Sequence, residues 1–509
     1  MKRIQAFFSP HRQRMSWVIL SILLQLGLFL VVLLFFNQYF VFFYWFCVLV
    51  SIAVSLYIST KKTRMAYKVA WIIPILLVPL VGGILYLMLG GGRKLNYQQS
   101  EAIRTYRKYL FPAPDPQTLL APYGADAVQQ GRYLQKAALC PAYQNTETRY
   151  FPSGEAFLPV FLEELEQARH YIFLEYFIIA EGSLWSEILD VLARKAREGV
   201  DVRVIYDGIG SASTLPDDYQ DELESLGIQC RPFRPLLPVL SIHQNNRDHR
   251  KLTVIDGVTG FVSGLNLADE YAARIQRFGY WKDNALLLRG EAVWSLTVFF
   301  LTMWDDNHTS RTDCDLFRPR ALPPIHSSGV IIPYTDTPMP EDTICADLFL
   351  QMTIKAKKYL YLTTPYLVLD ETLSSALCTA AQSGVDVRLI TPHIPDKKMV
   401  FAVTQSHYAP LLEAGVKIYE FTPGFLHTKT GVVDDLYASV GSCNLDYRSF
   451  YLQFENGVWM CGDPSVLAVK EDFLQTLAVC QEITLADCYS RSAFTRLFHS
   501  VYRLFSPLF

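Results

Sequence analysis

The chain has 509 residues, more than a single domain needs, and 51% of them are hydrophobic, which places part of it in a membrane. A formal charge of −3, from 46 basic against 49 acidic side chains, lacks the basic footprint of a nucleic-acid binder. The ten cysteines are scattered with no C-x-x-C and no zinc-like His/Cys spacing, so they read as small buried hydrophobes and no metal is expected.

In chain order, a basic start (Lys2, Arg3, Arg12, Arg14) precedes two uncharged apolar runs, 17–36 and 39–58, separated by Asn37-Gln38. Each run is about 20 residues, enough to cross a ~30 Å hydrocarbon core. No small-residue cleavage site follows the first, so the two read as an anchored helical hairpin rather than a removable signal. After Lys61, Lys62, Arg64 and Lys68 comes a third apolar run, 69–89, interrupted by Pro74, Pro79, Gly82 and Gly83, which either spans or re-enters. The positive-inside rule puts the N-terminus and the 61–68 loop in the cytoplasm, and a full third span would put everything later outside. Arg93, Lys94, Arg104, Arg107 and Lys108 favour the inside, so the sidedness stays open at this level. Residues 1–92 are the expected membrane part, with two or three transmembrane helices.

Residues 93–144 are polar and carry Pro112, Pro114, Pro116 and Pro122, the signature of a tether with some helix. Helix 160–169, strand 171–179, helix 184–199, strand 200–207 and a helix ending at 223–226 then alternate as in an α/β layered sheet. The same order recurs at 356–369, 373–384, 385–391 and 411–412. The word Gly199-Val200-Asp201-Val202-Arg203 is answered by Gly384-Val385-Asp386-Val387-Arg388. The chain therefore holds a duplicated domain, 145–320 and 325–490, divided in the proline-rich stretch 318–325. The apolar stretch 232–240 is either a packed loop or a lip dipping into lipid. In the tail, 491–509, Phe494, Leu497, Phe498, Val501, Leu504 and Phe505 recur at helical spacing, with Arg491, Arg496 and Arg503 elsewhere on the wheel, as in an interfacial helix.

Two words carry the chemistry. His249-Arg250-Lys251 with Asp256, and His427-Thr428-Lys429 with Asp434, each read His-x-Lys-x4-Asp, and each Asp lies ten residues before an Asn, Asn266 or Asn444. Duplication with a matching tail removes the ordinary explanation that applies to one such word. In a strand, positions i and i+2 share a face, so each imidazole and ammonium project together. Two such half-sites suit a phosphate: cations and amides bind its oxygens, one imidazole attacks phosphorus, and the other protonates the leaving oxygen and later deprotonates the incoming alcohol. A carboxylate behind each ring would fix its tautomer. Asp283 and Glu455, which open equivalent strands, are the candidates, whereas Asp256 and Asp434, seven residues from their histidines, are expected to be more structural than chemical.

At these residues the chain resembles the phospholipase D superfamily, named for this repeated motif. Within it, Asp248-His249-Arg250-Lys251, Gly264-Leu265-Asn266-Leu267-Ala268-Asp269-Glu270-Tyr271, Asn444-Leu445-Asp446-Tyr447-Arg448-Ser449-Phe450, Leu174-Glu175-Tyr176 and Thr364-Pro365-Tyr366 are similar to the bacterial cardiolipin synthases, over nearly the whole chain. Ser263, where Gly is usual, and Gln453, where Asn is usual, depart from the pattern. The resemblance implies duplicated phospholipase D-like α/β domains, each a mixed sheet flanked by helices, behind a multi-pass anchor in the bacterial cell membrane. It implies phosphatidyl transfer between two phosphatidylglycerol molecules, giving cardiolipin and glycerol through a phosphatidyl-histidine, with no cofactor. It assigns His249, Lys251, Asp256, His427, Lys429 and Asp434 to catalysis, with His249 attacking and His427 as acid and base. Asn266, Asp283, Asn444 and Glu455 would support them, and Glu175, Tyr176, Tyr366, Arg448 and Ser449 would meet substrate. The motif does not specify the acceptor, so a hydrolytic phospholipase D or a phosphatidylserine synthase remains the nearest rival. A non-catalytic lipid-binding scaffold is opposed by the intact His and Lys pairs.

Overall fold

The computed structural model describes residues 40–61, 64–90, 105–235, 245–306, 311–320, 327–338 and 343–506, with isolated positions besides. In the first half the strands are β1 (Thr146–Phe151), β2 (Tyr171–Tyr176), β3 (Asp201–Asp207), β4 (Gln229–Phe233), β5 (Arg247–Asp248), β6 (Lys251–Ile255), β7 (Thr259–Ser263), β8 (Tyr280–Lys282) and β9 (Ala285–Gly290). Seven make one sheet, ordered β1-β9-β7-β6-β2-β3-β4. It is parallel across β2, β3 and β4, where helices Ser183–Arg197 and Tyr219–Ser225 return the chain, and antiparallel elsewhere.

The second half repeats this with β10 (Val330–Asp336), β11 (Tyr359–Thr363), β12 (Asp386–Pro392), β13 (Lys417–Phe421), β14 (Gly424–Leu426), β15 (Thr430–Val433), β16 (Tyr437–Gly441), β17 (Gln453–Cys461) and β18 (Cys480–Ile483). Its order, β10-β17-β16-β15-β11-β12-β13-β18, matches the first sheet position for position, with β18 added at the edge. The duplication read from the sequence is therefore a duplication of topology. β2 and β11 are buried along their whole length, which is why they read as unbroken apolar runs.

Several boundaries move for identifiable reasons. The helix expected from residue 160 starts at Gly154, because Ser153 caps it by accepting the Ala156 N–H at 3.2 Å. Residues 105–144 are no tether. Pro116 stands at the start of a short helix capped by Asp115, the position where a missing N–H costs nothing. The following helix, Ala125–Ala137, buries Val128 and Leu134, and Asp126 pairs with Lys355 at 2.8 Å. Helix Val293–Trp304 has no polar face to mark it in sequence; it is buried almost all round in a core shared by both sheets, with Phe300 stacked on Phe173 at 4.5 Å.

In the N-terminal part, Val41–Thr60 is the one stretch among the described residues long and apolar enough to cross a membrane. The run 17–36 lies largely outside the described residues, as does most of the 232–240 loop. The third run is not one continuous helix: it folds as two short helices, Met65–Leu77 and Pro79–Leu89, about 20 and 16 Å long. The tail forms helix Ala493–Phe505, capped by Ser492 and packed on helices Lys398–Ser406 and Met65–Leu77, with Phe494 and Leu497 exposed.

Candidate active site

The two motifs are brought together by a crossing of the halves. β5, which delivers His249, pairs with Gln453–Phe454 at the start of β17, and the His249 N–H donates to the Phe454 carbonyl at 2.9 Å. β14, which delivers His427, pairs with β8, and the His427 N–H donates to the Lys282 carbonyl at 2.7 Å. Each motif thus begins beside the opposite half and enters its own sheet two or three residues later, at β6 or β15. β5 is held besides by Asp207, which accepts two guanidinium bonds from Arg247 at 2.8 and 2.9 Å and the Asp248 N–H at 3.0 Å.

The consequence is a crossed pairing of acids and imidazoles. His249 Nδ1 lies 2.9 and 3.1 Å from the two oxygens of Glu455, and His427 Nδ1 lies 2.6 Å from Asp283 Oδ2. With the Nδ1–H tautomer each ring donates to a fully buried carboxyl group of the other half, and Nε2 then keeps its lone pair. Glu455 also accepts from the Ser442 hydroxyl. At the corresponding place in the first half stands Gly264, whose absent Cβ would lie 2.2 Å from Asp283 Oδ1. One copy thus makes room for its carboxylate where the other donates a hydrogen bond to it.

The lysines lie beneath the rings. Lys251 Nζ donates to the His249 carbonyl at 2.6 Å; Lys429 Nζ donates to the His427 carbonyl and lies 2.7 Å from His427 Nδ1. Burial pushes the Lys251 ammonium down to about 7 and that of Lys429 to about 8. Burial, followed by the surrounding ammonium charges, also holds both imidazoles well below the ordinary histidine value, so both rings are neutral near pH 7. An arriving phosphodiester anion opposes that second cause and favours a proton on one ring.

The rings differ in their surroundings, which single aromatic residues in the sequence did not reveal. His427 is enclosed by Tyr271, Trp281 and Phe425, with centroids at 5.5, 5.5 and 5.7 Å, whereas His249 meets Phe177 edge-on at 4.9 Å.

The remaining candidates divide. Asp256 and Asp434 stand away from the imidazoles, contrary to a chemical role. Asp256 accepts the N–H groups of Arg169, His170 and Tyr171 at 2.7–2.8 Å, and Asp434 those of Lys357, Lys358 and Tyr359 at 2.7–2.9 Å, each from a left-handed backbone. They lock the entry to β2 and β11. Asp434→Ala is expected to cost about 2 kcal/mol or more of stability, seen as a lower thermal midpoint, while the folded fraction keeps its product pattern.

Asn266 is committed to the framework, accepting from the Ile178 N–H at 3.0 Å and donating to the Tyr271 hydroxyl at 2.7 Å; Asn444 leaves a buried Oδ1 with no hydrogen-bond partner. Of the five residues expected at substrate, three are interior. Tyr176 bonds Thr253 within the core at 3.0 Å, Glu175 is fully buried 3.5 Å from Arg250, and Ser449 is buried against Gln453 at 3.3 Å. The alternation on β2 could not show this, because both of its faces are covered. Tyr366 and Arg448 remain partly exposed; the Tyr366 hydroxyl donates to Asp396 at 2.5 Å, and Arg448 to Asn245 at 3.1 Å.

Two equivalent α/β halves that combine their His-Lys pairs in one composite site define a phospholipase D-like protein. Comparison with known proteins agrees: the model described as "Cardiolipin synthase, PLD-like domain" matches residues 161–277 and 349–477, and "Phospholipase_D-nuclease N-terminal" matches 41–91. The chain is 40% identical to a protein of Streptococcus mutans serotype c, over 89% of this chain and 99% of that one. It is 34% identical to a cardiolipin synthase of Halalkalibacterium halodurans, over 91% and 93%. The chain belongs to the cardiolipin synthase family. Among solved structures, the phosphatidylserine synthase of Haemophilus influenzae shares the fold, with a TM-score of 0.57 at 16% identity over 75% of this chain and 99% of that one.

Proposed function

We propose that this chain is a phosphatidyltransferase of the bacterial cell membrane that joins two phosphatidylglycerol molecules into cardiolipin, releasing glycerol. The observation that carries the reading is the crossed pairing of two imidazoles with two buried carboxylates, His249 with Glu455 and His427 with Asp283. In the first step Nε2 of His249 attacks phosphorus, the P–N bond forms, and the bond to the glycerol oxygen breaks as that oxygen takes a proton from His427. In the second, His427 takes the proton of the acceptor's terminal hydroxyl, whose oxygen displaces His249 from phosphorus. Lys251 and Lys429 neutralise charge on the non-bridging oxygens. The steps mirror each other, so the transfer is reversible. The apolar run 17–36 together with helix Phe40–Thr60 would make the anchor multi-pass.

The test is incubation of the purified chain with phosphatidylglycerol in detergent and a chelator, followed by lipid chromatography. Cardiolipin with free glycerol supports the reading; phosphatidic acid would point to a hydrolase, and no product to a scaffold. A pH dependence follows as well. The charges of Lys251 and Lys429 are present below about 7 and 8 and are lost as pH rises through those values. kcat/KM is therefore expected to fall along an alkaline limb in that range, with the limb in kcat moved upward because bound anion favours the charged lysines. A flat kcat/KM through the range would contradict it.

The apolar face of helix Ala493–Phe505 is expected to contact lipid. Phe498→Asp with Leu504→Asp should raise KM on bilayers several-fold more than on a short-chain soluble substrate. Equal effects on both would indicate a folding role.

A further inference from the structure

The third apolar segment has a geometry that bears on which face of the membrane the catalytic halves occupy. Helices Met65–Leu77 and Pro79–Leu89 pack against each other instead of continuing in line. Pro74 and Gly82 meet so closely that a Cβ on Gly82 would lie 2.4 Å from the Pro74 carbonyl oxygen, and Trp71 meets Tyr86 edge-on at 5.4 Å. Residues equally far on either side of Val78 are therefore opposed, which is a tight helical hairpin.

Its depth can be read against helix Phe40–Thr60, on which it packs. The turn lies beside Ser51, whose hydroxyl donates to the Pro79 carbonyl at 2.9 Å and so satisfies an acceptor near the break between the helices. The returning end lies beside Lys61, whose ammonium donates to the Tyr86 hydroxyl at 3.0 Å. Ser51 and Lys61 are ten residues apart, about 15 Å along a helix, which is half of a ~30 Å hydrocarbon core. Leu76 and Leu77, near the tip, are exposed, as lipid-facing side chains would be.

We propose that residues 65–89 form a re-entrant hairpin that dips to the bilayer midplane and returns, so that the catalytic halves sit on the same face as the basic 61–68 loop, the cytoplasmic one. Two contacts outside the hairpin agree. Arg64, in that loop, pairs with Asp370 of the second half at 2.7 Å and lies 4.7 Å over the Tyr451 ring, tying the loop to the catalytic body. Helix Ala493–Phe505 packs on Met65–Leu77, which places its apolar face at the surface of the leaflet the hairpin enters, with Arg496 and Arg503 available to anionic headgroups. In sequence the basic pair Arg93-Lys94 follows three residues after Gly90, and the positive-inside rule favours a cytoplasmic exit from the hairpin. The proposal rests on the membrane-bound reading and not on the catalytic one.

The test is cysteine labelling in the full chain, with the partly exposed Cys378 and Cys480 replaced by serine. Single cysteines are introduced as Thr60→Cys at the end of the spanning helix, Leu77→Cys at the hairpin tip and Leu316→Cys on the exposed surface of the catalytic body. A membrane-impermeant maleimide is applied to spheroplasts and to inside-out vesicles, with detergent-solubilised protein as the full-labelling control. Thr60→Cys and Leu316→Cys are expected to label only in inside-out vesicles, and Leu77→Cys only after detergent. Labelling of Thr60→Cys and Leu316→Cys from opposite faces, or of Leu77→Cys from the outer face, would overturn the hairpin. Labelling of both surface positions from outside would overturn the cytoplasmic assignment. Labelling is read without reference to turnover, so an inactive preparation does not affect the result.

Discussion

Replacing His249 or His427 with alanine is expected to lower cardiolipin formation by more than about a thousandfold in each case, because attack on phosphorus and proton transfer to the leaving oxygen are separate jobs in one cycle. The losses should not add: the double variant should be no worse than the poorer single one, since either change alone stops the cycle. The measurement is initial rate on phosphatidylglycerol in detergent, with each variant's thermal midpoint checked. A single variant keeping about a tenth of wild-type rate would mean that one ring suffices, which the composite site does not allow.

The second large effect is specific to the crossing. Glu455→Gln and Asp283→Asn keep shape but replace a carboxyl oxygen that accepts from Nδ1 with an amide that can present its N–H there, so the ring's tautomer is no longer fixed, and each is expected to lower kcat by about a hundredfold or more. Their signatures should differ. Asp283 serves His427, the proposed acid, so a substrate whose nitrophenolate leaves without a proton should restore formation of the covalent intermediate in Asp283→Asn. Glu455 serves His249, so the same substrate should not rescue Glu455→Gln. Rescue of Glu455→Gln alone would mean that the two carboxylates serve the opposite roles, although Glu455 lies 206 residues from His249 and Asp283 lies 144 from His427.

Much of this site was legible before the structure because duplication multiplies weak signals. The spacing of His249, Lys251, Asp256 and Asn266, repeated at His427, Lys429, Asp434 and Asn444, isolates the pocket, and the matching strand openings single out Asp283 and Glu455. What spacing could not show is which acid meets which ring. That is decided by two parallel pairings only two and three residues long, β5 on β17 and β14 on β8, too short to leave a periodic pattern. Tyr176 and Glu175, which the resemblance places at substrate, are interior, and a strand buried on both faces offers no pattern in the sequence to correct that expectation. The third apolar run is ambiguous in one dimension because 21 apolar residues suit a span, whereas the close approach of Gly82 to Pro74 exists only in three. The prolines of 112–122 looked like a tether because proline opens a helix as readily as it breaks one.

The central claim, that one site built across both halves uses His249 to attack and His427 to move the proton, is tested most directly by trapping the phosphatidyl-enzyme. Wild type and His427→Ala are treated with a phosphatidyl ester of nitrophenol, quenched, digested and mapped by mass spectrometry under conditions that preserve phosphohistidine. The adduct is expected on the peptide containing Asp248 to Lys251 in both proteins, to accumulate in His427→Ala because no base activates the acceptor, and to be absent from His249→Ala. An adduct on His427, with His249→Ala still labelled, would reverse the assignment of the two rings.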